Sequence, residues 1–186
     1  MKYFNFLFLS CTLISQTNCT GNDYSKIPED IKEAFSKAGV PLLNESRKPA
    51  QWTLKTIKGE TISLESLRGK IVFLNFWATW CPPCRGEMPS MEALYQRFKT
   101  KDFAMVACNI MEDAGIVQHF AENGKYNFTI ALDSDGKVSE NYGVQGIPAS
   151  YVIDREGNLI LQSIGGRNWD TPGLRSAFEA LLNYGQ

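Results

Sequence analysis

Two cysteines three residues apart, Cys81 and Cys84, are the side chains of this sequence best placed to do chemistry. They follow an apolar run at 71–76 that is typical of a buried strand, and they precede a segment with helical periodicity. A helix start presents unpaired N–H groups and the positive end of the helix dipole, which stabilise a thiolate. The thiolate is the reactive form of cysteine. The pattern therefore predicts a dithiol/disulfide redox centre.

The position of each cysteine predicts its role in exchange. Cys81 lies at the helix start and nearer to solvent, so we expect it to be the nucleophile. Cys84 lies one turn further along the helix and is expected to resolve the mixed disulfide. Pro82 and Pro83 stiffen the loop and remove two N–H donors, although the sign of their effect on the reduction potential does not follow from sequence. Cys108, inside an apolar strand, is expected to be buried and inert.

Composition excludes several classes of function. The chain has 186 residues, 44% of them hydrophobic, with a formal charge of −1 and one histidine, so it lacks the basic surface of a nucleic-acid-binding protein. Apart from Cys11 and Cys19, the remaining cysteines are too few for a disulfide-stapled scaffold. The body of the chain has no apolar run of about eighteen residues, so no membrane-spanning helix is predicted there.

Residues 1–18 have the features of an export signal. Lys2 precedes an apolar segment at 3–14, and a polar stretch follows. An uncleaved anchor or a buried hydrophobic arm is the alternative. Cys19 is a candidate for lipidation, although residues 16–18 match poorly the small and aliphatic residues expected before a lipoprotein cysteine. We therefore predict an exported protein, either periplasmic or tethered by a lipid at Cys19 and facing the periplasm.

Residues 19–47 are predicted to form an N-terminal helix and a linker, and residues 48–186 a separate domain. Pro28 near the helix start, acidic residues in the first turn and Gly39 at the end indicate a short amphipathic helix. The pattern leaves open whether this helix docks on the domain or serves as a tether.

The rest of the chain alternates between strand and helix patterns. Strands are predicted at 51–56, 61–64, 71–77, 103–110, 128–132, 149–154 and 159–164. Helices are predicted at 87–100, 113–123, 137–142 and from 172 onward. Pro89 is expected to kink the first of these helices. The alternation, followed by a terminal hairpin, indicates an α/β layer fold with helices on both faces of a central sheet.

Three motifs together resemble those of thioredoxin-fold proteins. They are the segment 76–84 around the cysteine pair, Pro89, and Gly146-Ile147-Pro148 ahead of a strand. More narrowly, they are similar to the exported TlpA/ResA-type thiol–disulfide oxidoreductases, over residues 48 to the C-terminus. The resemblance implies a thioredoxin fold with a central mixed sheet flanked by helices, an N-terminal hairpin, and a central helix–strand insertion at 109–132.

The resemblance also implies which residues contact a substrate. Pro148 would be a cis-proline that faces the disulfide and helps to hold the extended chain of the client, with Trp80, Pro82 and Ile147 beside it. The alternative for Pro148 is an ordinary turn proline ahead of a strand. Trp77 either flanks the site or packs in the core.

Glu87 matches an acid that in this family lies near the redox pair and tunes its proton affinity. The alternative is a solvated first-turn acid that the helix dipole favours. Where cytosolic thioredoxin carries a buried aspartate, this chain has Asn75. A carboxylate could accept the proton of Cys84 and asparagine cannot, so either Glu87 or water must supply that function.

The predicted function is thiol–disulfide exchange without a cofactor or metal, with the enzyme acting as a reductant that keeps protein thiols reduced, for example in cytochrome c maturation. Its expected partners are a client protein bearing a thiol or disulfide and a membrane electron-relay protein. A peroxiredoxin would need a threonine at the position of Ala78, and a copper chaperone would need a CxxxC motif with a histidine, whereas His119 lies far along the chain. A zinc site would need two ligands besides Cys81 and Cys84, and the cysteines and the single histidine of the chain hardly provide them. A thioredoxin-fold module that binds partners or delivers metal without turnover is the remaining alternative.

Overall fold

The computed structural model describes residues 27–184, so the expected export signal at 1–18 and the candidate lipidation site Cys19 lie outside the described residues. The strands are β1 (Thr53–Thr56), β2 (Thr61–Ser63), β3 (Ile71–Trp77), β4 (Phe103–Ile110), β5 (Thr129–Asp133), β6 (Ala149–Ile153) and β7 (Leu159–Ile164). The helices are α1 (Glu29–Lys37), α2 (Pro82–Phe98), α3 (Ala114–Gly124), α4 (Lys137–Asn141) and α5 (Pro172–Asn183).

The strands form one mixed sheet in the order β2-β1-β5-β4-β3-β6-β7. Strand β3 lies between β4, to which it is parallel, and β6, to which it is antiparallel. Strands β4 and β5 are parallel, and the hairpins β1–β2 and β6–β7 form the two ends of the sheet. This arrangement confirms the predicted α/β fold with a central mixed sheet and an N-terminal hairpin.

The central insertion is also confirmed. After β4 the chain forms α3 and then β5, which enters the sheet between β4 and β1. The insertion therefore extends the sheet at its centre instead of adding a strand at an edge.

The continuous apolar run of β3 is explained by burial on both sides of the sheet. Phe73 and Trp77 point into one core, beneath α1, α2, α3 and α5, whereas Leu74 and Phe76 point into a second core that includes Tyr142. Every residue of β3 is buried. Since side chains alternate along a strand, Asn75 points to the same side as Phe73 and Trp77, toward α2.

The N-terminal arm docks on the domain, which answers the question that its sequence left open. Phe35 of α1 is fully buried, and its ring lies edge-on to Phe178 of α5 at a centroid distance of 5.2 Å. Beyond the helix, Leu43 donates a backbone hydrogen bond to Ile160, and Arg47 forms a bridge with Leu159. The segment interpreted as a linker is thus attached to the outer edge of β7.

Helix α2 begins at Pro82, earlier than the periodicity of its apolar residues indicated. Pro82 and Pro83 occupy its first positions, where a helix has no use for the N–H that proline lacks. The helix then continues through Pro89 to Phe98. Within residues 27–184, no helix combines the length and apolar character needed to span a bilayer.

Candidate active site

Cys81 and Cys84 are joined by a disulfide with a Cα–Cα distance of 5.3 Å. Cys81 is the N-cap of α2 in an extended conformation, and the backbone N–H of Cys84 points at its Sγ across 3.3 Å. The first cysteine therefore lies at the positive end of the helix, as predicted. Cys81 is 3% exposed and Cys84 is fully buried, so Cys81 is the more accessible of the two, also as predicted.

A short turn connects the end of β3 to this helix start. Strand β3 ends at Trp77, and the N–H of Cys81 donates to the carbonyl of Ala78 across 3.2 Å. The side chain of Trp80 is 69% exposed, whereas Trp77 is fully buried and contacts the ring of Phe120 at 5.2 Å. Of the two interpretations for Trp77, packing in the core is the one that the structure supports.

The loop before β6 faces the disulfide. The Ile147–Pro148 peptide bond is cis, as the resemblance implied, and the carbonyl oxygen of Ile147 lies 3.8 Å from Cys81 Sγ. Pro148 is buried and Ile147 is partly exposed. These residues meet because β3 and β6 are neighbours, with Phe76 paired to Ala149.

Exposed apolar side chains surround the cysteine pair. Of the four residues that the resemblance assigned to client contact, Trp80, Pro82 and Ile147 have surface exposure, whereas Pro148 is buried. Ile164, at the end of β7, is 61% exposed and is paired with Ala149, next to Pro148. Sequence reasoning missed Ile164, since a strand-end isoleucine gives no local indication of exposure.

Glu87 is buried, with only 3% of its surface exposed, so the interpretation as a solvated first-turn acid is wrong. Its Oε1 accepts a hydrogen bond from Asn75 Nδ2 at 2.8 Å. Its Oε2 accepts from Trp169 Nε1 at 3.1 Å and from the backbone N–H of Arg167 at 3.3 Å. Glu87 is one turn beyond Cys84 on the same side of α2, where the loop between β7 and α5 covers it.

Burial raises the pKa of Glu87 above its ordinary value of 4.5. Hydrogen bonds from Trp169, Asn75 and Arg167 to the carboxylate oppose this shift but do not cancel it. Glu87 is therefore a buried carboxyl with an increased affinity for a proton, one helical turn from Cys84.

Asn75 connects Glu87 to the sheet. It is fully buried, and its Nδ2 donates to Glu87 Oε1 and, across 2.9 Å, to the hydroxyl of Ser150. Ser150 is the register partner of Asn75 in the β3–β6 pair. The alternation of β3 could have predicted that Asn75 faces α2, but the contribution of Ser150 required the register.

A groove of about 440 Å³ opens beside the helix start and is lined by residues that include Pro83, Glu87 and Gly166. Gly166 approaches the backbone of Pro83 so closely that a Cβ there would lie 3.0 Å from the Pro83 carbonyl oxygen. The absence of a side chain at this position keeps the loop packed on the helix start.

A second carboxylate, that of Glu112, is hydrogen-bonded to the turn between β3 and α2. Glu112, just after β4, accepts a hydrogen bond from the backbone N–H of Thr79 at 2.7 Å and another from Asn109 Nδ2 at 2.6 Å. Sequence reasoning missed this contact. A signal existed, because the carboxyl ends of neighbouring parallel strands meet at one edge of a sheet, and both segments follow such strands.

The remaining titratable candidates lie apart from this chemistry. Cys108 is buried in β4, and burial together with the charge of Asp133 raises the pKa of its thiol, which suits the predicted inert role. His119 is exposed on α3, where its Nε2 lies 3.0 Å from Asn123 Nδ2. Among residues 27–184 no group of three or more histidine, cysteine or acidic side chains is arranged to hold a metal ion.

Comparisons with known proteins give consistent results. The sequence model of the AhpC/TSA family matches residues 46–162. Thiol-disulfide oxidoreductase ResA from Bacillus thuringiensis (strain Al Hakam) is 40% identical over 109 residues, which cover 59% of this chain and 63% of that protein. ResA from Bacillus subtilis (strain 168) is 37% identical over 123 residues, 66% of this chain and 69% of that protein.

A solved structure agrees with the fold. The crystal structure of a Chlorobium tepidum protein described as a thiol:disulfide interchange protein DsbE has a TM-score of 0.69 and 35% sequence identity to this chain. The match covers 75% of this chain and 99% of that one. The chain spans 63% of the length of the Bacillus thuringiensis relative, which is less than two thirds.

Proposed function

This chain belongs to the AhpC/TSA family and is similar to the ResA thiol–disulfide oxidoreductases, and we propose that it is itself an exported thiol–disulfide oxidoreductase. The observation that carries the proposal is the Cys81–Cys84 disulfide at the N-terminus of α2, with its more accessible sulfur turned toward the Ile147–Pro148 loop. No cofactor is needed, because the two cysteines carry both electrons.

The first step is attack on a client disulfide. In the reduced enzyme the Cys81 thiolate, stabilised by the N-terminus of α2, attacks one sulfur of the client disulfide. A bond forms between Cys81 and that sulfur, the client S–S bond breaks, and the other client sulfur leaves as a thiolate that takes a proton.

The second step resolves the mixed disulfide. Cys84 loses its proton and its thiolate attacks Cys81 Sγ, which forms the intramolecular disulfide and releases the second client sulfur as a thiolate. The client disulfide has gained two electrons and two protons, and the Cys81–Cys84 dithiol has lost them. The disulfide-bonded enzyme is the state that the structure presents.

Glu87 is proposed to take the proton from Cys84. Its carboxyl is one turn from Cys84, its pKa is raised by burial, and Asn75 holds it without competing for the proton. A general base works best when its pKa lies near the working pH, and burial raises the pKa of Glu87 in that direction. The adjoining groove gives the proton a route to solvent.

The client is proposed to bind as an extended chain across the exposed apolar surface of Trp80, Pro82 and Ile147, with the buried Pro148 next to Ile147 in the chain. Trp80 is 69% exposed, and an aromatic side chain of that size exposed beside a redox pair is well suited to bury client surface. Ile147 places its carbonyl against Cys81 Sγ, so a client held here presents its sulfur to the correct cysteine.

We propose that the enzyme works as a reductant of protein disulfides outside the cytoplasm. The signal-like residues 1–18 support export, and Cys19 is the candidate lipid attachment site. A reductant in that location needs a supply of electrons, so its second partner is a membrane protein that passes a dithiol's electrons to the Cys81–Cys84 disulfide. Cytochrome c maturation is one process in which such a reductant serves.

Turnover of a model protein disulfide tests the proposal. The purified protein is expected to accelerate reduction of that disulfide in the presence of a small dithiol, and Cys81→Ala is expected to abolish the acceleration. Cys108→Ala is the matched control, because it removes a buried cysteine that the mechanism does not use. Equal activity of Cys81→Ala and the unmodified protein would favour the alternative, a module that binds partners or delivers metal without turnover.

A further inference from the structure

Glu112 contacts the turn that carries Cys81 although it is 33 residues from Thr79 in sequence. Its carboxylate accepts three hydrogen bonds. The backbone N–H and the hydroxyl of Thr79 donate two of them, and Asn109 Nδ2 donates the third. Among residues 27–184, no lysine or arginine forms an ion pair with Glu112. The charge is therefore held by neutral donors, two of which belong to the active-site turn.

The backbone before Glu112 has an unusual conformation. Met111 has φ of 51°, in the left-handed region that non-glycine residues rarely adopt. Its N–H donates to the carbonyl of Asp133 across 3.0 Å, which fixes the corner at the end of β4. The Met111 side chain is 67% exposed, so the corner does not serve to bury it. The left-handed conformation of Met111 reverses the direction of the chain, so that the side chain of Glu112 points toward Thr79.

Asn109 also donates to this carboxylate, and its Nδ2 bonds the same oxygen, Oε2, that accepts from the Thr79 N–H. It is 1% exposed in the last part of β4, where it is paired with Trp77, the final residue of β3. The adjacent strand ends bring Asn109 and Thr79 to the same carboxylate. Charged hydrogen bonds of this kind are stronger and more directional than neutral ones, so the contact restricts the turn.

Among residues 27–184, one hydrogen bond is seen within the turn itself, apart from its bonds to Glu112. Its internal bond runs from the Cys81 N–H to the carbonyl of Ala78, and the side chain of Trp80 projects to solvent. Thr79 lies between Ala78 and Trp80, and both of its donors are bonded to Glu112. The orientation of the backbone that leads into Cys81 therefore depends on this carboxylate.

We propose that Glu112 is a positioning residue for Cys81 that acts through Thr79. The proposal rests on the proposed exchange function, since it concerns the attack of Cys81 on a client disulfide. Glu112 holds the turn so that the Cys81 thiolate lies in line with the incoming S–S bond. Reactions of this type lose rate steeply when the attacking atom is misplaced, even by about an ångström.

A pH series of rate constants separates positioning from electrostatics. The second-order rate constant for attack of Cys81 on a small disulfide rises with pH to a plateau at which Cys81 is fully a thiolate. Loss of positioning lowers the plateau itself. A residue that acted only by its charge would move the profile along the pH axis and change the plateau only by the small amount that the shift in thiol pKa accounts for.

The variants are Glu112→Gln, Thr79→Val, their combination, and Thr79→Ser as the control that keeps the hydroxyl. Glu112→Gln is expected to lower the plateau about tenfold, because the amide cannot accept all three bonds. Thr79→Val, which removes one donor, lowers it less. The double variant is no slower than Glu112→Gln alone, because both changes break the same contact. Thr79→Ser keeps the plateau of the unmodified protein.

Two results would overturn the proposal: an unchanged plateau in Glu112→Gln, or effects of Glu112→Gln and Thr79→Val that multiply independently in the double variant. Thermal unfolding of each variant establishes that the rates describe folded protein. If Glu112→Gln does not fold, the comparison of Thr79→Val with Thr79→Ser decides, and equal plateaus for those two would count against the proposal. A complete lack of reaction in the unmodified protein would instead refute the exchange function.

Discussion

The amide of Asn75 donates a hydrogen bond to the carboxylate of Glu87 across 2.8 Å and so links the central strand β3 to the active-site helix α2. Both side chains are buried. An asparagine side chain does not take up a proton near neutral pH, so a proton that moves at this position moves on Glu87. Asn75 therefore holds the carboxyl, while burial sets its proton affinity.

Replacement of Glu87 by glutamine is expected to slow the second step of exchange. The variant keeps the size of the side chain but removes the group proposed to take the proton from Cys84. Resolution of the mixed disulfide should be slower by about a hundredfold near neutral pH, and should recover at higher pH as Cys84 ionises without help. Rapid-mixing kinetics of mixed-disulfide decay measure this rate.

The matched control is Glu92→Gln on the same helix, where the carboxylate is bonded to Asn127 at the surface. It should leave the resolution rate unchanged. A Glu87→Gln variant as fast as the control at every pH would remove Glu87 from the mechanism.

The same variant tests the raised pKa of Glu87 through stability. The folded protein binds the Glu87 proton more tightly than the unfolded chain, whose carboxyl has the ordinary pKa of 4.5. The stability that this group contributes is fully present below pH 4.5 and is lost as the pH rises through the folded pKa. The Tm of the unmodified protein should therefore fall relative to that of Glu87→Gln as the pH is raised from about 4 to 8. A Tm difference that is constant over this range would argue against a raised pKa.

The indole of Trp169 is expected to limit how far the pKa of Glu87 rises. Burial is the main cause of the shift, and the hydrogen bond from Trp169 Nε1 is the strongest of the contacts that oppose it. Trp169→Phe removes this donor but keeps an aromatic ring against Phe73, at a present centroid distance of 4.7 Å. The pKa of Glu87, followed by carboxyl infrared absorption, should increase further.

Trp52→Phe is the control for this experiment. Its Nε1 donates to Tyr142 in the second core, so the substitution removes a similar bond at a distance from Glu87. Equal shifts of the carboxyl signal in both variants, or no shift in Trp169→Phe, would show that the indole does not act on Glu87 as described.

Trp80 is expected to contribute to client binding and not to stability. Its side chain is 69% exposed, so Trp80→Ala should leave the Tm nearly unchanged. Loss of an aromatic contact at the centre of an interface should raise KM for a protein client by about tenfold. Ile116→Ala, at a 56% exposed position on α3, is the control and should not affect KM. A normal KM in Trp80→Ala would place the client elsewhere.

The sequence predicted the parts of the site that depend on local patterns. The apolar run of β3 and the spacing of the cysteines lie within one segment, so the strand and the order of the cysteines followed from them, whereas apolar periodicity placed the helix only from residue 87 and not from Pro82. The resemblance supplied Pro148, which lies far along the chain but carries a recognisable motif.

Contacts between distant segments were the ones that sequence reasoning could not resolve. The burial of Glu87 depends on Arg167 and Trp169, which lie on a loop about 80 residues later and have no pattern of their own. The docking of α1 depends on Phe178, near the other end of the chain. From sequence alone, Glu87 could have been either exposed or buried, and α1 could have been either a free tether or docked on the domain. Only the tertiary contacts decide between these alternatives.

Covalent trapping of a client on Cys81 tests the central claim most directly. The Cys84→Ser variant cannot resolve a mixed disulfide, so after incubation with a disulfide-bonded protein it should accumulate a one-to-one adduct that a thiol reductant releases. Peptide mapping by mass spectrometry should place the bond at Cys81, and Cys81→Ser should form no such adduct. Absence of the adduct in Cys84→Ser, or its attachment to another cysteine, would contradict the assignment of Cys81 as the nucleophile.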